Sequence, residues 1–381
     1  MKNLNKNILI IAGEASGDLH GASLIKELKK IDNAIKIFGI GGDKMEAAGM
    51  ELIYHINKMA FLGFVEVLKH LPFIRKVQKD LIQLVKEKNI RNAVLIDYPG
   101  FNLSIAKKLK KLNLKIVYYI SPQIWAWGAG RIKKIRNLVN KMLVVFPFEE
   151  NFYRKGNIDV EFVGHPLLER IEDYTFLTKN ELFLKFGLEQ EKEILLILPG
   201  SRLHEVEKIF PESIKAAKKI SEEFNMQIVV ACAPNIDDKI FNRITNINNF
   251  KVVTGYTYDF LKNAKIGIVK SGTSTLEAAL FELPIVIVYK TSFLTYLIGK
   301  KLIKVGNIGM VNIVAGEKVA PELIQDNVSQ EKVYTELKKI LSDKDLLLSI
   351  KKKMSEIKTK LGTMGASERA AKIIYRMLNE A

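Results

Sequence analysis

The sequence is poor in cysteine, in arginine and in long apolar runs. Its single cysteine, Cys232, excludes an internal disulfide framework, and its place in an apolar stretch favours a buried thiol. No apolar stretch approaches the roughly 18 residues of a membrane-spanning helix. The protein is therefore expected to be soluble or to lie on a membrane surface. Only ten of the 59 basic residues are arginine, fewer than a reader of nucleic-acid bases would be expected to use.

Two common phosphate-binding loops are also missing. There is no GxxxxGK[ST] loop, which disfavours nucleotide hydrolysis by a P-loop enzyme. The sequence Gly39-Ile40-Gly41-Gly42 is only loosely similar to the GxGxxG turn of dinucleotide-binding proteins. A phosphate site would therefore need a different kind of strand–helix corner.

Size and charge permit several classes of protein. The chain has 381 residues, 48% of them hydrophobic, which is enough for two domains with sizeable cores. Its formal net charge is +17. One interpretation is attraction to an anionic surface such as a bilayer. The other is a drift in composition, because lysine, isoleucine and asparagine are abundant throughout.

Apolar runs alternate with segments of helical spacing along the chain. This alternation predicts an α/β fold of parallel sheets covered by helices. Two sets of five runs imply two doubly wound, Rossmann-like domains, in which ligands bind beyond the carboxyl ends of the strands. The runs are Ile8–Ala12, Ile35–Ile40, Ala93–Ile96, Lys115–Ile120 and Met142–Val145 in the first half, and Ile194–Leu198, Gln227–Ala231, Lys251–Thr254, Ile266–Val269 and Pro284–Val288 in the second.

The same pattern divides the chain into three parts. Residues 1–166 form the first predicted domain and residues 167–345 the second. The region from Glu331 to Leu378 has helical spacing throughout. Its last part, residues 346–381, is expected to pack back on the first half.

Two corners of small residues in the second half each follow an apolar run and open a helix. They are Leu198–Glu205 (LPGSRLHE) and Ser271–Leu280 (SGTSTLEAAL). Such corners point backbone N–H groups and a helix dipole at an anion, which suits a ligand with several phosphates. Each corner alone is equally compatible with a plain capped helix. The prediction of a nucleotide-sugar site depends on the pair.

Side chains in these corners add to that prediction. Arg202 supplies a cation for a diphosphate, and Glu277 supplies an acceptor for ribose hydroxyls. Ser201 is expected to cap the helix that begins near Leu203. Glu205 is expected to close that cap or to hold Arg202.

The first half offers polar side chains at two strand ends. Because strand ends of parallel sheets line the ligand site, these side chains are candidates for chemistry, although each is also compatible with a turn or a helix cap. They are Glu14, Ser16, Asp18 and His20 after the first run, and Asp97 and Asn102 after the third.

The segment Phe61–Ile74 (FLGFVEVLKHLPFI) is unusually apolar and is followed at once by Arg75, Lys76 and Lys79. An apolar surface with a basic rim is typical of an interfacial membrane element, and an ordinary core helix is an equally good interpretation. The residues predicted to face a membrane are Phe64, Val65, Val67, Leu68, Leu71, Phe73 and Ile74.

These motifs together match a known family. The chain resembles the bacterial lipid-A-disaccharide synthases in the ordered stretches AGEASGDLHGA, GIGGDKMEAAGME, LGFVEVLKHLP, DYPGFN, SPQIWAW, VGHPL, LPGSR, SGTSTLEAAL and NIVAGEKVAPELIQ. The resemblance implies a GT-B glycosyltransferase that joins UDP-2,3-diacylglucosamine to 2,3-diacylglucosamine 1-phosphate (lipid X) through a β-1,6 linkage, with inversion and release of UDP. It also implies a cytoplasmic homodimer with exchanged C-terminal segments, peripheral on the inner face of the inner membrane, with no metal or other cofactor.

The resemblance assigns roles by position. Asp97 and Glu14 match residues implicated in the reaction, and Asp97 is our hypothesis for the general base. The predicted acceptor side holds Ser16, Asp18, His20 and Asn102. The predicted donor site comprises Ser201, Arg202, Glu205, Ser271, Gly272, Thr273, Ser274, Thr275, Glu277, Asn312 and Glu322.

Three other functions stay open at this point. The nearest is another UDP-sugar enzyme of the same architecture, such as the undecaprenyl-muropeptide N-acetylglucosamine transferase or a UDP-sugar 2-epimerase. A basic lipid-binding protein without catalytic activity is the second. A nucleic-acid binder is the third, although no recognised nucleic-acid motif accompanies the charge.

Overall fold

A computed structural model describes residues 6–59, 70–292, 296 and 306–379. The chain divides into two compact units, residues 1–169 with 361–381 and residues 170–360. Each unit holds one fully parallel sheet. The predicted α/β class, with two Rossmann-like parallel-sheet domains and a helical C-terminal region, is confirmed.

The first unit has a seven-stranded sheet in the order β3-β2-β1-β4-β5-β6-β7. Its strands are β1 (Asn7–Ala12), β2 (Lys36–Gly41), β3 (Met50–His55), β4 (Asn92–Ile96), β5 (Lys115–Tyr119), β6 (Lys141–Val144) and β7 (Val160–Phe162). Its helices are α1 (Ala15–Ile31), α2 (Asp43–Ala47), α3 (Leu71–Glu87), α4 (Pro99–Lys111), α5 (Ile124–Trp127), α6 (Ile132–Leu138), α7 (Pro147–Lys155) and α8 (Leu167–Glu172), the last of which crosses into the second unit. The central strands are apolar and fully buried, as expected for a parallel sheet between helices.

The second unit has a six-stranded sheet in the order β10-β9-β8-β11-β12-β13. Its strands are β8 (Glu193–Leu198), β9 (Met226–Cys232), β10 (Lys251–Thr254), β11 (Ala264–Lys270), β12 (Ile285–Tyr289) and β13 (Glu322–Ile324). Its helices are α9 (Lys179–Phe186), α10 (Leu203–Phe224), α11 (Lys239–Ile244), α12 (Thr257–Asn263), α13 (Ser274–Leu280), α14 (Met310–Ala315), α15 (Gln330–Ser342) and α16 (Lys344–Lys360). Cys232 is buried at the end of β9, as predicted.

Three strands were not predicted from the sequence. The strand β3 is a half-exposed edge strand, and β7 and β13 have only three residues each. None of them carries the continuous apolar run that marks a buried strand. Each lies at an edge of its sheet. The ten predicted runs are the nine inner strands and the edge strand β10.

The last helix, α17 (Ala366–Asn379), belongs to the first unit and packs on α1. Its buried side chains recur with helical spacing, and three of the six are alanine, which lets the two helices approach closely. The chain changes units at Leu361, not at residue 346, because α16 packs on α13 and α14 of the second unit. The predicted start of the returning segment is therefore corrected by fifteen residues.

The segment predicted to face a membrane is only partly described. Phe64, Val65, Val67 and Leu68 lie outside the described residues. Phe73 and Ile74, near the start of α3, are half-buried and pack against the core of the first unit. Within the described ranges, no helix is both long and apolar enough to cross a bilayer.

Truncating a buried side chain of α17 tests its place in the first unit. Ile374 is 1% exposed, so Ile374→Ala should cost about 2–5 kcal/mol of stability and lower the thermal unfolding midpoint by at least about 4 °C. The control, Lys372→Ala on the exposed face, removes an ion pair with Glu368, and exposed pairs of this kind contribute little to stability. Equal midpoints for the two variants would contradict this packing.

Candidate active site

Each sheet reverses its strand order at one point. In the first unit the reversal lies between β1 and β4, which pair through Ala12 and Ile96. In the second it lies between β8 and β11, which pair through Leu198 and Val269. The connections from such neighbouring strands leave in opposite directions, which opens a crevice at the carboxyl ends. Apart from Asn312 and Glu322, the predicted catalytic, acceptor and donor residues follow these four strands.

In the first unit, the crevice brings Asp97 close to Glu14. Burial raises the pKa of Asp97 to about 6, and the charge of Glu14 adds to the shift. A carboxyl group with a pKa near neutrality is suited to accept a proton in a reaction at physiological pH. Glu14 is exposed at the start of α1.

The backbone around Asp97 is strained and firmly held. Asp97 and Tyr98 both have left-handed backbone angles, φ of 43° and 46°, which are unfavourable for side chains other than glycine. The amide of Asn102 donates to the carbonyl oxygens of Ile96 (3.1 Å) and Asp97 (2.8 Å), and the hydroxyl of Tyr118 donates to the Asp97 carbonyl (2.5 Å). Asn102, predicted for the acceptor side, thus fixes the backbone that carries Asp97.

Gly13 is required by the same corner. The ring of Tyr98 lies where a side chain of residue 13 would stand, because a Cβ there would be 2.1 Å from a ring carbon. The Tyr98 hydroxyl donates to the carbonyl of Met59 (2.9 Å). This packing holds the Tyr98 ring against the end of β1, beside the Asp97 corner.

Asp18 serves the fold. Its buried carboxylate accepts backbone N–H groups of Gly42 (2.7 Å), Met45 (3.0 Å) and Lys44 (3.2 Å) and so caps the start of α2. Its oxygens are therefore engaged away from a ligand. Ser16 is exposed and His20 is half-buried on α1, so they lie on the helix that opens beside the crevice.

In the second unit, two glycines shape the corners. Gly200 has φ +130° and Gly272 has φ +153°, conformations that favour glycine. A Cβ at Gly200 would lie 2.6 Å from a carboxylate oxygen of Glu205. These close turns lead directly into α10 and α13, whose first N–H groups have no partner within the helix. Both predicted corners therefore form as strand–turn–helix units.

Glu205 and Lys270 join the two corners. The buried carboxylate of Glu205 accepts the backbone N–H of Ser201 (3.2 Å) and pairs with the ammonium of Lys270 (2.8 Å). Glu205 was predicted to close the cap or to hold Arg202. Its contact with the Ser201 N–H corresponds to the first of these roles, because it stabilises the turn before α10. The residue at the N-cap of α10 is Arg202, so the predicted cap by Ser201 is wrong. Lys270, at the end of β11, was not predicted.

The hydroxyls of the second corner have different surroundings. Ser271 donates to the carbonyl of Ile308 (2.8 Å), and Thr275 donates to that of Gly272 (2.8 Å) while accepting the N–H of Val311 (3.3 Å). Both side chains are buried and hold the corner in shape. Thr273 is exposed and Ser274 half-buried, so these two are the hydroxyls accessible to a ligand.

Glu277 lies in a small polar cluster with two residues that the sequence did not indicate. One oxygen of its carboxylate accepts hydrogen bonds from Arg170 and from the hydroxyl of Tyr258 (3.2 Å). The Arg170 guanidinium also lies over the Tyr258 ring, 5.2 Å from its centre. The cluster fixes the carboxylate while its second oxygen remains to accept further donors.

Asn312 and Glu322 support the loop beside the corner. The amide of Asn312 is fully buried and makes four hydrogen bonds, to Val319, Ala320 (two) and Glu322. This exhausts its hydrogen-bonding capacity. Glu322 also accepts the N–H groups of Ile308 and Gly309 (2.9 Å each). Both residues therefore position the segment that Ser271 contacts.

A metal site was not predicted. In the described part of the chain, no three histidine, cysteine, aspartate or glutamate side chains are grouped so that they could hold a metal ion.

Solved structures with the same fold include a UDP-sugar epimerase and a glycosyltransferase. UDP-GlcNAc 2-epimerase from Neisseria meningitidis, bound to UDP-GlcNAc, matches 98% of this chain and 100% of its own with a TM-score of 0.66 at 14% identity. The calicheamicin glycosyltransferase CalG4 matches 100% of both chains with a TM-score of 0.62 at 14% identity. These similarities confirm the GT-B fold.

Sequence comparison extends this to the family. The model of the family described as lipid-A-disaccharide synthetase matches residues 8–376. The lipid-A-disaccharide synthase of Geobacter metallireducens is 41% identical over 379 residues, 99% of this chain and 98% of that protein. That of Coxiella burnetii is 39% identical over 376 residues, 98% and 99% of the two chains. The chain therefore belongs to the lipid-A-disaccharide synthase family of glycosyltransferases.

Proposed function

We propose that this chain transfers the sugar of UDP-2,3-diacylglucosamine to 2,3-diacylglucosamine 1-phosphate, forming a β-1,6 linkage and releasing UDP. The observation that carries the proposal is the pair of corners at the β8/β11 reversal. They combine two helix starts with Arg202 and Lys270, as a diphosphate requires. Family membership supports the identity of the sugars.

The reaction is a single displacement with inversion. Asp97 takes the proton from the C6 hydroxyl of the acceptor as the hydroxyl oxygen forms a bond to the anomeric carbon of the donor. The bond from that carbon to the diphosphate oxygen breaks, and UDP leaves with the electron pair. The helix starts at α10 and α13, with Arg202 and Lys270, stabilise the charge that develops on the leaving diphosphate.

The donor is held through its diphosphate and through its ribose. Thr273, Ser274 and the N–H groups of the corners contact the diphosphate, and the second carboxylate oxygen of Glu277 accepts the ribose hydroxyls. Arg170 and Tyr258 keep that carboxylate oriented. Ser271, Asn312 and Glu322 act through the shape of the corner.

We further propose that the enzyme is a homodimer and that it works on the inner face of the inner membrane. Both substrates carry acyl chains, so the protein must reach them at a lipid surface. The net charge of +17 favours binding to anionic lipids.

Mass analysis of products tests the proposed reaction. The purified protein, given acylated donor and acceptor, should form the disaccharide monophosphate and one UDP per product. Unacylated UDP-N-acetylglucosamine should be a poor donor. Epimerisation or transfer to a different acceptor, without the disaccharide, would contradict the proposal.

The pKa of Asp97 predicts the acid side of the pH–rate profile. As the base must be ionised, kcat/KM should fall as the pH drops below about 6. Because the charge of Glu14 helps to raise this pKa, Glu14→Gln should move the acid limb to lower pH.

Asp97→Asn should reduce turnover by roughly 10²–10⁴-fold while UDP affinity stays unchanged. If Glu14→Gln instead causes the larger loss, Glu14 is the base.

Removing Lys270 should weaken UDP binding. We expect Lys270→Met to raise the calorimetric Kd about 10-fold, the value of one charge-assisted hydrogen bond. Lys265→Met, at the exposed start of the same strand, is the control and should not change Kd. Lys270→Met leaves the Glu205 carboxylate without its lysine. If this lowers the stability of the fold, the double variant Glu205→Gln/Lys270→Met should restore it. Normal affinity in that double variant would exclude Lys270 from the site.

Polar substitutions test the membrane-facing segment. Val65→Ser/Val67→Ser/Leu68→Ser should weaken sedimentation with anionic vesicles without changing the thermal midpoint. Leu184→Ser/Leu348→Ser, which alters exposed apolar side chains of the second unit, should leave sedimentation unchanged. A large drop in the midpoint of the triple variant would identify the segment as core.

A further inference from the structure

A cavity of about 280 Å³ lies between α4 and α6 in the first unit, outside the crevice residues described above. Its lining on α4 recurs with helical spacing, from Pro99 and Gly100 through Leu103 and Ser104 to Lys107. Arg131 and Lys134 complete it from the side of α6. The volume is at the low end of ligand sites, about 300–1,000 Å³, so the cavity suits a small group and not a whole acylated sugar.

Its charge is of one sign. Between Asp97 and Glu149 the sequence has ten lysines and arginines and no aspartate or glutamate, so the helices on both sides of the cavity are purely basic. In the part of the chain that the structure describes, neither Lys107 nor Lys134 pairs with a carboxylate. Burial and the charges of Lys107 and Arg131 lower the pKa of Lys134, as expected for cations that lie close together.

The cavity begins at the start of α4, a helix of thirteen residues. Gly100 leaves open space where a side chain would stand, with no atom within 4 Å of a built Cβ. A helix start adds N–H groups and a positive dipole end to the three cations. A phosphate monoester carries a charge near −2 and three acceptor oxygens, which fits this combination better than a single carboxylate.

The cavity is also next to the candidate base. Pro99 lies two residues after Asp97, so their Cα atoms are no more than about 7.6 Å apart. A pyranose with its reacting hydroxyl on C6 and a phosphate on C1 spans a comparable distance. A phosphate bound in the cavity would therefore place the sugar beside Asp97.

We propose that this cavity binds the 1-phosphate of the acceptor sugar and thereby selects the phosphorylated acceptor. The inference rests on the proposed function for the identity of the acceptor. The phosphate of a bilayer headgroup, a diester in phosphatidylglycerol, offers the same kind of acceptor oxygens, and the experiment separates the two sources.

The test compares two variants with the same change in charge. Lys107→Gln/Lys134→Gln removes two cations from the cavity, and Lys108→Gln/Lys133→Gln removes two exposed cations from the same helices outside its lining. In detergent micelles without phospholipid, the cavity variant should raise the KM for the acceptor at least about 10-fold. Its KM for the donor should not change, and the control should stay within about twofold for both substrates.

Two further measurements complete the test. With 2,3-diacylglucosamine, which lacks the phosphate, the cavity variant and the wild type should have equal kcat/KM. Glucosamine 1-phosphate should stabilise the wild type and the control variant against heat, but not the cavity variant. This last readout needs no catalysis, so loss of disaccharide formation in the wild type would count against the proposed function alone.

Two results would overturn the inference. One is an acceptor KM for the cavity variant equal to that of the control. The other is an unchanged acceptor KM in micelles together with lost binding to phosphatidylglycerol vesicles, which would assign the cavity to a lipid headgroup.

Discussion

A parallel sheet that reverses its strand order leaves two strand ends side by side, with their connections turning away from each other. This chain has that arrangement twice, at β1/β4 and at β8/β11. The reversal in the second unit brings two helix starts to one place, and the reversal in the first brings Glu14 to Asp97. Without these reversals of strand order, the short polar corners would be ordinary helix caps spread along two sheets.

Carboxylates in the second unit mostly hold other groups in place. Glu205 fixes a turn and a lysine, Glu322 fixes a backbone segment, and Glu277 is itself held by Arg170 and Tyr258. Such contacts make the cationic corner rigid before any ligand arrives, which reduces the cost of ordering it on binding. In the first unit, by contrast, burial and a like charge raise the pKa of Asp97, which suits proton transfer.

The sequence predicted the inner strands, the two domains and the location of the corners, because continuous apolar runs and small polar turns are local signals. It did not predict β7 or β13, which are too short to show a pattern. It also missed Lys270 and Arg170, because their importance comes from contacts with Glu205 and Glu277 across the fold. Asp18, Asn102 and Asn312 were recognised as special, but their polar atoms bind backbone groups, and only the folded chain identifies such partners.

Hydrogen–deuterium exchange with and without UDP is the most direct measurement of the central claim, that two corners bind one diphosphate. If the claim is right, UDP slows exchange of backbone amides in residues 200–206 and 271–277 together, with the same dependence on UDP concentration. The claim would be contradicted if UDP left the exchange rates unchanged in both segments of a sample whose thermal transition shows that it is folded.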